Sequence, residues 1–348
     1  MHPATPAQKT FAHGFPPALE ELRTLPDFVE PDLVLGLYGL LRAAGVSIIY
    51  CEADVLSGNA AQFIYSREHP ECAQLSFVAP VETLFRALDM TWKEVTPSGS
   101  SAAFAVIRDW IAQGRLTLAR FKEPILIYGF AQADSHCCLL GARPRARLQE
   151  EMISQADCDR KYWRYPLDEG NVLICVDEAP RQIDNLTSLA CTAARRAVRL
   201  WHMANLAGCS IGDHAYRRLT ADVADSDVDF TSERTSAWMG AALWKQWTAR
   251  ASSQQFFKRV APRFGGKDRG AVEKAAFCYE QCVESWKHWA QYLGPTWSHN
   301  RHGFIPSYPD DFVARWRNPE LRAKGSHWIE EARGWEEKAI GELTKILR

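Results

Sequence analysis

The residues best suited to chemistry in this chain are three polar side chains that separate two apolar runs. The stretch Pro124–Gly141 reads PILIYGFAQADSHCCLLG, and both of its flanking runs have β-type composition. Asp134, Ser135 and His136 therefore fall at the mouth of a predicted hairpin, where a ligand can reach them. A histidine that enters an anchored strand has a fixed orientation and can act as a base. The same position also suits a histidine that only hydrogen-bonds at the edge of a sheet.

A carboxylate at the start of a helix is the second candidate. After Pro31 the run DLVLGLYGLLRAAG is apolar almost all round and stops at Gly45, which predicts a central helix. Asp32 lies in its first turn, where the positive end of the helix dipole stabilises a negative charge. A plain N-cap is the alternative role for this aspartate.

The elements that must hold these residues follow an α+β order. Helical patterns come first, interrupted by β-type runs at Val46–Tyr50, Gln62–Tyr65 and Trp92–Val95 and by a tight loop at Leu56–Asn59. From Leu116 to Val176 the periodicity changes to two, and successive runs read as strands, one of them at Arg160–Pro166. A block of neighbouring strands favours a largely antiparallel sheet over a doubly wound fold.

After Pro180 the strand pattern disappears and helices follow. We therefore predict an α+β domain over residues 1–180 and a helical bundle over residues 181–348. Two separate helices are predicted at Ser236–Ala249 and Gln254–Val260, and an aromatic-rich loop at Gly294–Pro309. The helix Gly270–Leu293 is the most regular of all, because one apolar seam recurs along it at a three-four spacing. Such a seam makes a helix-helix interface, usually internal, and contact with a second copy of the chain is the other use.

Composition restricts the partners. The net charge is −7 up to Pro180 and +6 from Arg181, which is too little to favour nucleic acid or an anionic membrane. Ten cysteines without a CxxC spacing suggest reduced thiols, and no window is long and apolar enough to span a bilayer. We expect a cytoplasmic protein that binds a small molecule, with neither nucleic acid nor membrane as partner.

No cofactor or metal is expected. The chain lacks GxGxxG after a strand and lacks GxxxxGK[ST], which argues against dinucleotide and P-loop sites. Cys278 and Cys282 lie one helical turn apart, and His299 and His302 follow, but this spacing matches no common zinc module.

Residues Leu25–Asp177 resemble the papain-like family that includes the butirosin-type aminoglycoside acyltransferase, which is similar in fold to the double-glycine leader peptidases. The resemblance rests on short motifs: LLRAAG, Tyr50 with LSGNAAQF, EPILIYG before His136 and LLG after it. The helical half, with LACTAARRAV and GDHAYRRL, resembles the tail of such proteins.

The resemblance implies a nucleophilic cysteine at the start of the central helix, and that position is Asp32 in this chain. It identifies His136 with the family histidine, oriented from the next strand by Gln149, Glu150 or Glu151. We take Glu151 as the third catalytic residue. The substrate pocket is expected to be lined by Cys51, Ser57, Asn59, Asp134 and Ser135. Cys51 is expected to pack or to line this pocket and not to act as the nucleophile.

Two functions remain open. The first is an enzyme of small-molecule biosynthesis that uses Asp32 and His136 as an acid–base pair on an acyl or amide substrate, which a carrier protein could deliver. The second is a catalytically degenerate relative that binds a small molecule or a protein partner. The first is preferred, because the histidine and LSGNAAQF are present in a chain that lacks the cysteine.

Overall fold

A computed structural model describes most of the chain. The described residues are 8–11, 33–68, 79–121, 124–133, 136–143, 149–158, 171–180, 182–206, 208–230, 233–294, 296–300, 303–307 and 311–348. Of the residues discussed above, Asp32, Asp134, Ser135, His302 and the strand predicted at Arg160–Pro166 lie outside these ranges.

The chain divides into two compact units. The first comprises Met1–Ile49 and Phe85–Ile183, and the second comprises Tyr50–Leu84 and Asp184–Arg348. The prediction of an antiparallel sheet in the N-terminal half and helices in the C-terminal half is confirmed. The units differ from the predicted domains in one respect: Tyr50–Leu84 groups with the helices. The reason is that its first helix packs against later helices of the second unit.

The first unit is built on an antiparallel sheet. Its helices are α1 (Leu33–Ala43) and α4 (Ser100–Ala112), and α3 (Pro80–Ala87) begins in the second unit and ends in the first. Its strands are β1 (Gln8–Phe11), β3 (Thr91–Val95), β4 (Thr117–Arg120), β5 (Pro124–Ala133), β6 (His136–Arg143), β7 (Gln149–Ser154) and β8 (Val172–Glu178). The strand order is β3-β8-β4-β5-β6-β7, and β1 pairs with the second half of β5.

Helix α1 packs directly on this sheet. A Cβ atom at Gly36 would lie 2.7 Å from Leu118 Cδ1, so the absence of a side chain lets the helix approach β4 closely. Leu37 and Leu41 are fully buried, as expected for a central helix.

The strand predicted at Val46–Tyr50 is wrong. Val46 and Ile48 are buried and Ser47 is exposed, so the alternation is real, but none of the described strands pairs with it. Instead, the Val46 amide donates to the Leu41 carbonyl and the Ile48 amide donates to the Val46 carbonyl, each at 3.0 Å. Tyr50 then begins the next helix. A period of two describes burial here and does not describe a β ladder.

The second unit is mainly helical. Its helices are α2 (Tyr50–Leu56), α5 (Leu186–Trp201), α6 (Gly212–Ala224), α7 (Glu233–Val260), α8 (Gly266–Leu293), α9 (Phe312–Arg317) and α10 (Pro319–Lys345). Its short strands are β2 (Ile64–Tyr65), β9 (Asn205–Leu206), β10 (Cys209–Ile211), β11 (Thr296–Asn300) and β12 (Gly303–Ser307).

Two predictions in this unit need correction. Helix α7 runs without the predicted break near Ala249, because Arg250 and Ser253 are buried on the continuous helix. The region predicted as a loop at Gly294–Pro309 contains the β11–β12 hairpin, where Trp297 pairs with Pro306.

The apolar seam of α8 is confirmed. Its members are all buried: Val272, Ala275, Tyr279, Cys282, Trp286, Trp289 and Leu293. The seam packs against α10, where a Cβ atom at Gly325 would lie 2.3 Å from Leu293 Cδ1. Glycine is therefore needed at this crossing. Among the described helices, none combines the length and apolarity of a membrane crossing.

Candidate functional site

Two predicted pocket residues of the second unit, Ser57 and Asn59, lie in a tightly bonded loop after α2, and the third, Cys51, lies in α2 itself. Asp54 is only 2% exposed, and its Oδ1 accepts a 2.7 Å hydrogen bond from Asn59 Nδ2. Ser57 is fully buried; its Oγ donates to the Asp54 carbonyl at 2.8 Å and accepts from the Asn59 amide at 3.3 Å. Ser57 and Asn59 therefore hold the loop in shape, and their predicted contact with a substrate stays a prediction.

Because Gly58 has no side chain, Arg196 can pack against this loop. Gly58 has φ +83°, and a Cβ atom there would lie 2.8 Å from Arg196 Cδ. Arg196 NH1 donates to the Leu56 carbonyl at 2.9 Å, and burial lowers the pKa of its guanidinium. Arg196 lies within LACTAARRAV, so its motif was noticed in the sequence but its contact with the loop was not.

Cys51 sits in an environment that suppresses thiolate formation. The thiol is 4% exposed, and burial raises its pKa to about 12, with further contributions from the charges of Glu52 and Asp54. Glu52 itself is buried and accepts a 3.0 Å bond from Arg259 Nε. A thiol in this state packs as a small apolar group, which agrees with its predicted lack of a nucleophilic role.

We predict that iodoacetamide at about pH 8 leaves Cys51 unmodified in the folded protein, because a pKa of about 12 leaves roughly one thiol in 10⁴ ionised. Peptide mass spectrometry measures the modification, and Cys51 in guanidinium-unfolded protein is the matched control. Alkylation at equal rates in folded and unfolded protein would contradict the burial.

The end of the same loop is attached to a buried polar network. Phe63 stacks on Tyr216 with ring centroids 3.8 Å apart, and Arg250 NH1 donates to the Gln62 carbonyl at 2.9 Å. Arg250 also forms two bonds with Glu336, from Nε to Oε2 at 2.9 Å and from NH2 to Oε1 at 2.8 Å. This pair was missed in the sequence because its members are 86 residues apart.

In the first unit, His136 begins β6 as predicted, and its backbone pairs with Ala133 at the end of β5. The register corrects the expected role of Glu151. Glu151 pairs with Gly141, five residues along β6 from His136, or about 17 Å at the usual strand rise. That separation is too long for a hydrogen bond between the two side chains. Gln149 and Glu150 pair still farther from His136.

The direction of α1 decides which end of the sheet its first turn faces. Gly36 contacts Leu118 in β4, whereas Leu40 and Ala44 share a cavity with Leu116, which precedes β4. Helix α1 therefore runs antiparallel to β4 and in the same direction as β5.

β5 ends at Ala133, which is the end farther from the start of α1, and His136 follows that end in β6. Leu118 is level with Leu126 and Ala142, and Ala142 is six residues from His136, or about 20 Å along the strand. The described part of α1 begins at Leu33, at the other end, and Asp32 lies outside the described residues. The pairing of Asp32 with His136 stays a prediction, and the element directions argue against it.

A small cavity of about 150 Å³ in the first unit lies at the end of α1. It contains the ion pair between Arg115 and Asp177, and Lys93 Nζ lies 3.5 Å from Asp177 Oδ1. Sequence analysis missed this cluster because no local spacing links these residues. Asp177 is shared by two cations, so its carboxylate is engaged in ion pairs and the three groups together carry one net positive charge.

Among the described residues, no group of three histidine, cysteine or acidic side chains could hold a metal ion. Cys282, considered above for zinc, is fully buried in the α8 seam, 4.0 Å from Tyr216 OH, and burial raises its pKa strongly. Comparison of the chain with protein-family models and with curated proteins gives no match.

Proposed function

We propose that this protein is a non-catalytic binding protein for a small molecule, with short motifs that resemble those of the butirosin-type acyltransferases. The observation that carries the proposal is the direction of α1 on the sheet. A papain-like site needs the helix start and the strand histidine at one end of the sheet. Here the helix starts at the Pro124 end of β5, and His136 follows the Ala133 end.

The residues at the helix-start end of the sheet also support a binding role. In the described part of the chain, the strand ends found there are Asn171, Arg120, Pro124, Arg143 and Gln149. Of these, Arg120 is partly exposed and offers a guanidinium group, whereas Asn171 is buried, and the five residues include no thiol and no imidazole.

A buried thiol in the sheet, Cys175, adds to this argument. Burial raises the pKa of Cys175, which is fully buried on β8. Eight of the ten cysteines are identified as free thiols, in keeping with the reducing cytoplasm that we propose as its location. We therefore favour the binding function over acid–base catalysis by Asp32 and His136, with a carrier protein or a second copy as further candidate partners.

We predict that His136→Ala and Asp32→Asn leave ligand binding unchanged. A thermal-shift screen of amines and acyl thioesters on the full chain would identify ligands, and the variants would show the same shifts within about twofold in Kd. Thiol release from S-acetyl-N-acetylcysteamine would stay at the background rate for all three proteins.

The opposite result is equally clear. Turnover that Asp32→Asn abolishes without changing the melting temperature would establish the acid–base enzyme and overturn the binding proposal. Cys51→Ala, which removes a buried thiol of the second unit, serves as the control for unspecific loss of activity.

A further inference from the structure

A groove in the second unit carries separated charges around an exposed aromatic ring. It has a volume of about 310 Å³ and lies between the end of α7 and the first half of α8. Its lining residues are Gln254, Lys258, Ala261, Pro262, Glu273, Ala276, Phe277 and Glu280. No sequence motif or resemblance pointed to it.

The two helices each present one face to the groove. Gln254 and Lys258 are four residues apart on α7, which places them on the same side. Phe277 and Glu280 are likewise neighbours on one face of α8, three residues apart. The basic wall and the acidic wall therefore come from different helices.

Two charged side chains of the groove, Lys258 and Glu280, form no ion pair with the described part of the protein. Lys258 and Glu280 are exposed, and within the described residues neither has a hydrogen bond or an ion pair. Glu273 differs, since it accepts a 2.8 Å bond from Arg269 Nε. One cation and one anion thus remain available on opposite walls.

Phe277 supplies the apolar part of the groove. It is 52% exposed, although most large apolar side chains of this unit are buried. Ala261 and Ala276 beside it are buried, so the ring stands above a closed apolar floor. A ring in this setting loses its contact with water when an apolar group lies on it.

We propose that this groove binds a zwitterionic α-amino acid with an apolar side chain. Lys258 pairs with the ligand carboxylate, Glu280 pairs with its ammonium group, and Phe277 covers its side chain. The inference does not rest on the function proposed for the N-terminal half, because it holds whether or not that half is catalytic.

The size and the charges favour this ligand over others. A volume of about 310 Å³ is at the lower end of small-molecule pockets, which suits a single amino acid better than a peptide. Polyanions are disfavoured because Glu273 and Glu280 face the groove, and a simple amine would leave Lys258 unpaired.

Isothermal titration of the full chain tests the proposal. The probes are L-phenylalanine and L-leucine, together with N-acetyl-L-phenylalanine, which lacks the ammonium charge, and L-phenylalaninamide, which lacks the carboxylate. We expect saturable binding of both amino acids and a loss of roughly tenfold or more in affinity for each modified probe, since each loses one charge pair.

Variants locate the binding site. Lys258→Met, Glu280→Gln and Phe277→Ala should each weaken L-phenylalanine binding by roughly tenfold. Lys274→Met and Glu331→Gln change exposed charges outside the groove and should leave affinity unchanged. Circular dichroism and the melting temperature confirm that every variant is folded.

Three results would overturn the inference. They are the absence of saturable binding by either amino acid, equal affinity for the modified probes, and binding that survives the three groove variants. The outcome is separate from the test of the binding function, because that test follows His136 and Asp32, which belong to the other unit.

Discussion

Replacing Arg250 by methionine will lower the free energy of unfolding by about 3–5 kcal/mol, the usual cost of leaving one partner of a buried ion pair alone. Arg250 is fully buried, and its guanidinium bonds to both carboxylate oxygens of Glu336, to the Gln62 carbonyl and to Gln246 Oε1. Glu336 also accepts a 2.7 Å hydrogen bond from Tyr216 OH. When Arg250 is removed, this bond is the one that remains of the hydrogen bonds to Glu336 named here.

The double variant Arg250→Met with Glu336→Leu separates charge from packing. It removes both charges and should recover a large part of the lost stability, because no ion is then left in the interior. Arg269→Met is the matched control: its pair with Glu273 is about half exposed, so its loss should cost less than about 1 kcal/mol. Urea denaturation followed by circular dichroism measures all three, and equal losses for Arg250→Met and Arg269→Met would refute the argument.

Replacing Arg322 by methionine will have an effect of similar size, about 3–5 kcal/mol, since buried carbonyl groups lose a charged donor. Arg322 is 5% exposed and donates to the carbonyls of Val223, Val228 and Asp222 at 2.9, 3.0 and 2.9 Å, and also to that of Asp225. It thereby closes the carboxyl end of α6, where the last carbonyls of a helix have no partner within it.

Hydrogen exchange shows whether Arg322 acts at that helix end. In Arg322→Met the amides near Ala224 should exchange faster, whereas those in the middle of α8 should change only with global stability. Arg317→Met, an exposed arginine on a neighbouring helix, is the control and should be neutral. Lysine at position 322 should rescue little, because one ammonium group cannot reach four carbonyls. Full rescue by lysine would show that charge alone is needed.

Local periodicity predicted much of the fold. The α8 seam from Val272 to Leu293 and the sheet strands β4, β5, β6 and β8 were found because a helix or a hairpin shows its buried face within a short stretch. The failures were also local. Val46–Tyr50 alternates like a strand, yet the Val46 amide bonds back to the Leu41 carbonyl in α1 and the Ile48 amide bonds to the Val46 carbonyl.

The candidate site was predicted less well. His136 was correctly placed at the start of a strand, whereas Glu151 was chosen by nearness in sequence and pairs about 17 Å away along β6. Arg250 and Glu336 gave no signal, because a contact across 86 residues leaves no local pattern. The same holds for the groove that joins Lys258 to Glu280.

The sequence by itself determined the class of the fold and the strands of the hairpin at Pro124–Gly141, since both depend on residue type and short spacing. Only the tertiary structure decided that α1 begins at the Pro124 end of β5, away from His136, and that Tyr50–Leu84 groups with the helices. Periodicity specifies which face of an element is buried, but not the direction in which that element lies on its neighbour. That direction depends on contacts such as Gly36 with Leu118, which form only when distant segments pack together.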